Sequence, residues 1–265
     1  ILQLMHVGRI AHSANMPEGA RILGPSAVAA NSDMWTDTAG MQKTETPEAM
    51  TTQDIKTTIT EFAEAAKRGI AAGFDGVELH GANGYLLEQF LNPHVNTRTD
   101  EYGGSMENRC RFVLEVTSAV AAAIGKDKTA IRLSPYSMFN DLPAYNEVAK
   151  TYTYLSAELQ KAGILYLHLV DYAARASEEG LKLIETIRKN FTNPLILNAG
   201  YTKERAEKAL EWGADLISFG SPFIANPDLP IRMEQNLELA KPDPNTFYTA
   251  DAIGYTDYAF STENK

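Results

Sequence analysis

The chain of 265 residues is 44% hydrophobic and carries a net charge of −10, from 24 basic and 34 acidic residues. This length can bury one sizeable core, and the acidic balance argues against a nucleic-acid or anionic-membrane surface. The single cysteine, Cys110, excludes an internal disulfide and a cysteine-built metal or iron–sulfur site. The sequence shows no long apolar run and no visible signal peptide, so we expect a cytoplasmic location.

Short apolar runs alternate with helical patterns along the chain. The first run reads as a strand that is buried from its first residue, and we therefore expect upstream sequence to be missing. The six predicted strands are Leu2–Val7, Gly76–His80, Ala130–Leu133, Leu165–Leu169, Leu195–Asn198 and Leu216–Phe219. The predicted helices are Thr51–Ala72, Ser105–Ile124, Tyr145–Lys161, Glu178–Lys189, Lys203–Trp212 and Leu229–Leu239.

This alternation predicts a parallel sheet covered by helices, with strands that are apolar on both faces. An open doubly wound sheet and a closed barrel both satisfy it, but residues with chemical functions follow nearly every strand, which favours the barrel. We therefore predict one α/β domain over residues 1–265, a (β/α)8 TIM barrel of which this chain supplies about six β/α units and lacks the N-terminal part. Residues 11–50 should form a loop over the catalytic face. The strand-end residues are Arg9, His80, Arg132, Asp171, Gly200 and Gly220.

The hexapeptide His80-Gly-Ala-Asn83-Gly-Tyr85 is placed where the second predicted strand ends. If the turn that follows is helical, His80 and Asn83 share one face, and their N–H groups converge on one carbonyl or nitro oxygen. Tyr85, with a reference pKa near ~10, is a proton donor rather than a base at neutral pH. The alternative interpretation is a loop of satisfied polar side chains.

Four other residues are candidates for binding a cofactor or a phosphate. Arg132 inside a barrel needs an anionic or strongly accepting partner, either a flavin N1/C2 carbonyl region, a phosphate or a neighbouring acid. The Gln3 amide both donates and accepts, which fits a flavin pyrimidine edge or, equally, a satisfied core amide. Gly200 and Gly220 follow the last two strands, where backbone amides and a short helix N-terminus cradle phosphate in barrels. No two histidines have a metal-ligand spacing, so we expect no metal.

Eight segments form a pattern by their order and spacing. They are Gln3–Arg9, Pro25-Ser26, Gly73–Leu91, Asn96–Arg109, Arg132–Pro135, Phe219-Gly220, Ile224–Leu229 and Gly254–Tyr258. Together they resemble the Old Yellow Enzyme family of FMN-dependent ene-reductases and NADH:flavin oxidoreductases, over essentially the whole chain.

The resemblance implies an FMN-bound barrel in which reduced flavin passes a hydride from N5 to the β-carbon of an activated alkene, an enone or a nitroalkene, and nitro compounds are further candidate substrates. NADPH or NADH would first reduce the flavin in the same pocket, which gives ping-pong kinetics with a small-molecule substrate. The sequence leaves the choice of nucleotide and the oligomeric state open. The implied roles are oxygen binding by His80 and Asn83, protonation by Tyr85, flavin contacts by Gln3 and Arg132, phosphate binding by Gly200 and Gly220, and a substrate contact by Tyr255.

Two departures from the family pattern bear on the flavin site. Family members have a longer N-terminus that carries the first two barrel strands. The position after Phe219-Gly220 is usually an arginine that pairs with the phosphate, and here it is Ser221, so we predict weaker FMN binding rather than none. The alternative from another class is a non-catalytic or inactive truncated flavin-binding barrel that needs a partner segment. A relative of the dienoyl-CoA reductases is disfavoured because those carry an iron–sulfur cluster.

Overall fold

Six main strands alternate with helices along residues 1–261, the part of the chain that the computed structural model describes. Two smaller sheets interrupt this alternation. The strands are β1 Leu2–Leu4, β2 Leu23–Gly24, β3 Asp33–Thr36, β4 Gly40–Lys43, β5 Glu48–Ala49, β6 Val77–Gly81, β7 Thr129–Leu133, β8 Leu167–Val170, β9 Leu195–Asn198 and β10 Leu216–Ser218. The helices are α1 Thr52–Ala71, α2 Leu86–Leu91, α3 Met106–Ile124, α4 Val148–Ala162, α5 Glu178–Asn190, α6 Lys203–Trp212, α7 Ser221–Ala225 and α8 Leu229–Gln235.

The described residues divide into two compact units, one from Ile1 to Ile196 and one that begins at Leu197. In the first unit β1, β6, β7 and β8 pair in parallel, in that order. Their register aligns Gln3 with Glu78, His80 with Arg132, and Arg132 with His168. The outward face of these strands is apolar and lies against the helices. Its fully buried residues are Val77, Leu79, Ile131, Leu133, Leu167 and Leu169.

The inward face of the same strands is polar, and the prediction of strands that are apolar on both faces is therefore wrong. Glu78, His80, Arg132 and His168 alternate with the buried aliphatic residues along β6, β7 and β8. Successive side chains of a strand point to opposite faces, so one short run contributes to both the apolar layer and the polar interior.

Strand β1 is shorter and more exposed than the predicted strand over Leu2–Val7. Ile1 and Met5 are 53% and 50% exposed, and Gln3 between them is also exposed. The reason is that β1 has a single sheet neighbour, β6, among the described strands. Beyond Leu4 the chain turns at Gly8, which has a positive φ of 61° and donates its N–H to His6 Nδ1 at 3.0 Å.

Helix α1 begins with a reciprocal cap between Thr51 and Asp54. The Thr51 hydroxyl accepts the N–H of Asp54 at 3.0 Å, and the Asp54 carboxylate accepts the N–H of Thr51 at 2.8 Å. This reciprocal capping box satisfies two backbone donors that a helix end otherwise leaves unpaired. Helix α1 packs against α3. Cys110 in α3 is buried, and this burial raises the pKa of its thiol to about 12.

The predicted long loop over residues 11–50 contains two small sheets, a parallel pair of β2 with β5 and an antiparallel hairpin of β3 with β4. Buried Arg9 joins this insertion to the segment that follows β7, because its guanidinium donates to the carbonyls of Ala29 at 3.0 Å and Asp141 at 2.6 Å. The insertion therefore lies at the carboxyl ends of the strands, which is the catalytic face of a parallel β/α architecture.

The second unit contains the end of β9, α6, β10, α7 and α8. Asn198 donates to the carbonyl oxygen of Ser218 at 3.0 Å and thereby ties β9 to β10. Helix α8 ends at Gln235 rather than at the predicted Leu239, because Asn236 adopts a left-handed conformation with φ 56°. Within residues 1–261 no helix is long and apolar enough to cross a membrane.

Candidate active site

His80 lies near the carboxyl end of β6 and is 4% exposed. Burial and the nearby Arg132 cation lower the pKa of His80 to about 4, and the opposing effect of Glu78 is smaller. The imidazole is therefore neutral at pH 7, with one nitrogen that donates and one that accepts. Its Nδ1 atom is buried and has no hydrogen-bond partner among the described residues. Few buried polar atoms in native proteins lack a partner, so this nitrogen marks His80 as a candidate functional residue.

The turn after β6 is not helical, so the predicted reason for His80 and Asn83 to share a face is wrong. Asn83 and Gly84 have consecutive positive φ angles of 57° and 75°, and α2 begins only at Leu86. This tight turn brings the Tyr85 ring to a centroid distance of 5.3 Å from the His80 ring. Tyr85 is half-buried beside His80.

Glu78 is the main site residue that the sequence interpretation missed. It is 6% exposed and accepts hydrogen bonds from Gln3 Nε2 at 2.6 Å and the Tyr166 hydroxyl at 2.9 Å. His168 Nδ1 lies 2.9 Å from the same carboxylate. Burial alone would raise the pKa of Glu78, but the hydrogen bonds from His168, Gln3 and Tyr166 outweigh it and lower the pKa. Glu78 is thus an anion that binds side chains from β1 and β8. It lies two residues before His80 in β6 and therefore on the same face of the strand, and this spacing could have identified it from the sequence.

Arg132 stands opposite His80 in the register of β6 and β7 and is half-buried on the polar face. Burial lowers the pKa of Arg132, and the Glu78 charge partly offsets this effect. The interior of the first unit thus contains a cation, an anion and a neutral imidazole at the strand ends. Three of the sequence-predicted residues, Gln3, His80 and Arg132, belong to this cluster, and Asn83 and Tyr85 lie on the adjoining turn.

In the second unit, Gly200, Gly220 and Ser221 line one open cavity of ≈ 660 Å³. A Cβ atom at Gly220 would meet nothing within 4 Å, so the backbone there is accessible to a ligand. Ala199 and Gly200 have positive φ angles of 89° and 68°, and such strain in a non-glycine residue is concentrated at functional sites. The remaining lining residues are Asn198, Tyr201, Ser218, Phe219, Pro222, Leu239, Ala240, Lys241 and Pro242.

Lys241 is the single charged residue in this lining, and the sequence interpretation missed it. Buried Asn226 fixes the neighbouring backbone by accepting the Ala240 N–H at 2.8 Å and donating to the Ala240 carbonyl at 3.0 Å. Tyr255 does not line the cavity; it is 57% exposed and its hydroxyl donates to the Phe247 carbonyl at 3.1 Å. Its substrate contact remains a prediction, as do the individual roles of the other residues.

Comparison with known proteins identifies the relationship. Residues 1–240 match the NADH:flavin oxidoreductase / NADH oxidase family. The chain is 43% identical over 272 residues to the putative 12-oxophytodienoate reductase 5 of Oryza sativa subsp. japonica, covering 100% of this chain and 71% of that protein. It is 41% identical over 263 residues to a probable flavin mononucleotide-dependent alkene reductase of Leishmania infantum, covering 97% and 71%.

A solved structure of morphinone reductase in complex with tetrahydroNAD matches with a TM-score of 0.93 at 40% identity, covering 100% of this chain and 73% of that one. The predicted fold class is confirmed: the chain supplies six strands of a (β/α)8 TIM-barrel fold. These reductases give no support to the non-catalytic alternative. The chain belongs to the NADH:flavin oxidoreductase / NADH oxidase family, as its resemblance to the Old Yellow Enzyme family predicted.

Proposed function

We propose that this chain is an FMN-dependent oxidoreductase that reduces the activated C=C bonds of enones and nitroalkenes, with NAD(P)H as the hydride source. The observation that carries the proposal is the buried, neutral His80, whose Nδ1 atom has no partner among residues 1–261 and whose ring is 5.3 Å from that of Tyr85. An oxygen-binding group and a proton donor are thus adjacent at a strand end, as reduction across a polarised double bond requires.

The polar interior of the first unit fits a flavin ring. Gln3 uses an N–H to reach Glu78, so its carboxamide oxygen remains to accept a hydrogen bond from a pyrimidine N–H. Arg132 places a positive charge at the same end of the sheet, where it would stabilise negative charge on the N1/O2 edge of the ring. Glu78 would orient Gln3 for this contact without touching the ring itself.

The cavity of the second unit fits the FMN phosphate. Gly200, Gly220 and Ser221 line it, and their backbone amides would bind phosphate without side-chain charge. Lys241 supplies a positive charge from the same lining, which partly replaces the arginine that the family pattern places at position 221. We therefore expect FMN to bind, with lower affinity than in relatives that have that arginine.

The residues of the chain have separate tasks in the proposed reaction. The donor nitrogen of His80 and the Asn83 amide would bind the carbonyl or nitro oxygen and stabilise the negative charge that develops on it. The Tyr85 hydroxyl would deliver the proton to the α-carbon. FMN, when bound, supplies the hydride that reaches the β-carbon. Because His80 is already neutral at pH 7, substrate binding on this account needs no change in its protonation.

A cytoplasmic location and the absence of nucleic-acid partners are part of the same proposal. The single, buried cysteine supports the first, because cytoplasmic proteins seldom rely on disulfides, and the net charge of −10 supports the second.

The direct test is steady-state turnover. We expect the purified, FMN-supplemented protein to be yellow and, without oxygen, to sustain turnover of NADPH or NADH only when 2-cyclohexen-1-one is present as the acceptor. A folded protein that binds no flavin and reduces no enone would refute the proposal.

A further inference from the structure

Glu88 is a buried carboxyl group in α2 that the proposed reaction does not use. It is 3% exposed, and four hydrogen bonds from three donors end on it. The donors are the Gly84 N–H at 2.7 Å, the Tyr152 hydroxyl at 2.7 Å, and the Ser134 hydroxyl at 2.7 and 2.9 Å from the two carboxylate oxygens.

Two of these contacts lead to the turn that carries the site. Gly84 donates to Glu88 directly. The N–H of Asn83 donates to Ser134 Oγ at 2.8 Å, and the Ser134 hydroxyl in turn donates a hydrogen bond to Glu88. The two consecutive backbone N–H groups of the left-handed turn are therefore both held by one carboxylate, one of them through a single hydroxyl. Successive N–H groups in such turns are known binding sites for anions.

The direction of the Ser134 hydroxyl depends on this arrangement. Ser134 can accept from Asn83 and donate at the same time only if its proton points to an acceptor, and the Glu88 carboxylate is that acceptor. An amide in the place of the carboxylate keeps one acceptor oxygen, which Gly84 and Ser134 would then share, so that both hydrogen bonds weaken.

Glu88 is also the member of its cluster that titrates near neutrality. Burial raises the pKa of Glu88 to about 7, against the opposing hydrogen bonds from Tyr152, Gly84 and Ser134. The facing phenols of Tyr145 and Tyr152 have pKa values that burial raises, so both stay protonated. A cavity of ≈ 70 Å³ borders Glu88, which leaves room for the water that exchanges its proton.

We propose that Glu88 is a positioning residue: its carboxylate fixes the backbone of Asn83 and Gly84 and thereby aims the oxygen-binding Asn83 and the proton-donating Tyr85. This inference rests on the proposed function for the roles of those two side chains. It does not require Glu88 to touch substrate or flavin.

Three variants separate positioning from general stability. Glu88→Gln removes one acceptor oxygen at nearly constant size, and Ser134→Ala removes only the link to Asn83. Tyr152→Phe removes a hydrogen bond to the same carboxylate that does not lead to the turn, and it is the matched control.

The first readout is amide hydrogen exchange at Asn83 and Gly84, which needs no ligand. We expect about 10-fold faster exchange at one or both amides in Glu88→Gln, faster exchange at Asn83 alone in Ser134→Ala, and no change in Tyr152→Phe. The second readout is the dissociation constant of 2-cyclohexen-1-one for the FMN-loaded protein. We expect it to rise about 5- to 10-fold in Glu88→Gln, with FMN affinity within about twofold of the unmodified protein.

Unchanged exchange and unchanged enone affinity in Glu88→Gln would overturn the inference, as would equal effects in Tyr152→Phe. Faster exchange in Glu88→Gln, together with no FMN binding by the unmodified protein, would support the positioning of the turn and refute the proposed function. The two failures are therefore distinguishable.

Discussion

The affinity for FMN should depend on the charge that the second unit presents to the phosphate cavity. Ser221 occupies the position of the family arginine, and Lys241 is the one charged lining residue. Ser221→Arg adds a charge-assisted hydrogen bond worth roughly 1.5–3 kcal/mol, so FMN should bind about 10- to 100-fold more tightly. Lys241→Gln removes an exposed charge worth about 0.5–1 kcal/mol, so FMN should bind about two- to fivefold more weakly.

Flavin fluorescence quenching measures both effects, and riboflavin is the internal control because it lacks the phosphate. We expect the dissociation constant of riboflavin to stay within about twofold in both variants, while that of FMN changes. The Lys241 effect should shrink at about 0.5 M salt, since screening weakens exposed charges. Lys208→Gln, an exposed substitution on α6 outside the cavity lining, should leave both ligands unaffected.

Unchanged FMN affinity in Ser221→Arg would refute the reasoning, because an arginine next to a bound phosphate cannot be neutral in energy. Equal changes for FMN and riboflavin would show that the substitution altered the fold of the cavity rather than its charge. The first result would argue against phosphate binding in the cavity of the second unit.

Three further predictions concern the first unit. Glu78→Gln should lower the free energy of unfolding by about 1.5–3 kcal/mol, because Tyr166 and His168 lose a charged acceptor; urea denaturation measures it, with exposed Glu64→Gln as the control that changes little. Tyr85→Phe should slow enone reduction about 100-fold and leave flavin reduction by NAD(P)H unchanged, which single-turnover kinetics of the two half-reactions resolves; equal slowing of both would contradict its role as proton donor. The pKa of Glu88 is about 7 in the folded state, against an ordinary value of 4.5. Between these two pH values the folded state binds a proton that the unfolded state has lost. The free energy of unfolding should therefore fall by about 3 kcal/mol as the pH rises from 4.5 to 7. His80 acts with opposite sign between about 4 and 6.5, so the measurement is the difference between the wild-type and Glu88→Gln pH profiles, and parallel profiles would contradict the buried-acid assignment.

The parts of the fold that depend on local pattern were predictable from the sequence. The capping box of Thr51 with Asp54, the strand that ends at the site and the paired turn glycines Gly200 and Gly220 are signals a few residues long. Each is fixed by neighbouring residues, so a reading along the chain detects it.

The polar interior was not predictable in the same way. Glu78 meets Gln3 and His168, which are 75 and 90 residues away in sequence, and only the parallel register brings them together. In the sequence alone, Glu78 is one acidic residue within an apolar strand, and nothing next to it indicates its partners. Lys241 likewise joins the glycine turns only through the folded backbone around Asn226.

The turn at Asn83 shows the limit of spacing arguments. A helical periodicity was assumed for His80 and Asn83, but Asn83 and Gly84 are left-handed and are held by the nearby Glu88 and by Ser134, which is 51 residues from Asn83. The residue types were informative, and the geometry that gives them a function came from tertiary hydrogen bonds.

The most direct test of the central claim follows the flavin through both half-reactions without oxygen. NADPH or NADH should bleach the yellow FMN-loaded protein, and 2-cyclohexen-1-one should then restore the absorbance with formation of one equivalent of cyclohexanone. A protein that NAD(P)H bleaches but no enone or nitroalkene reoxidises would contradict the assignment of His80, Asn83 and Tyr85 to alkene reduction.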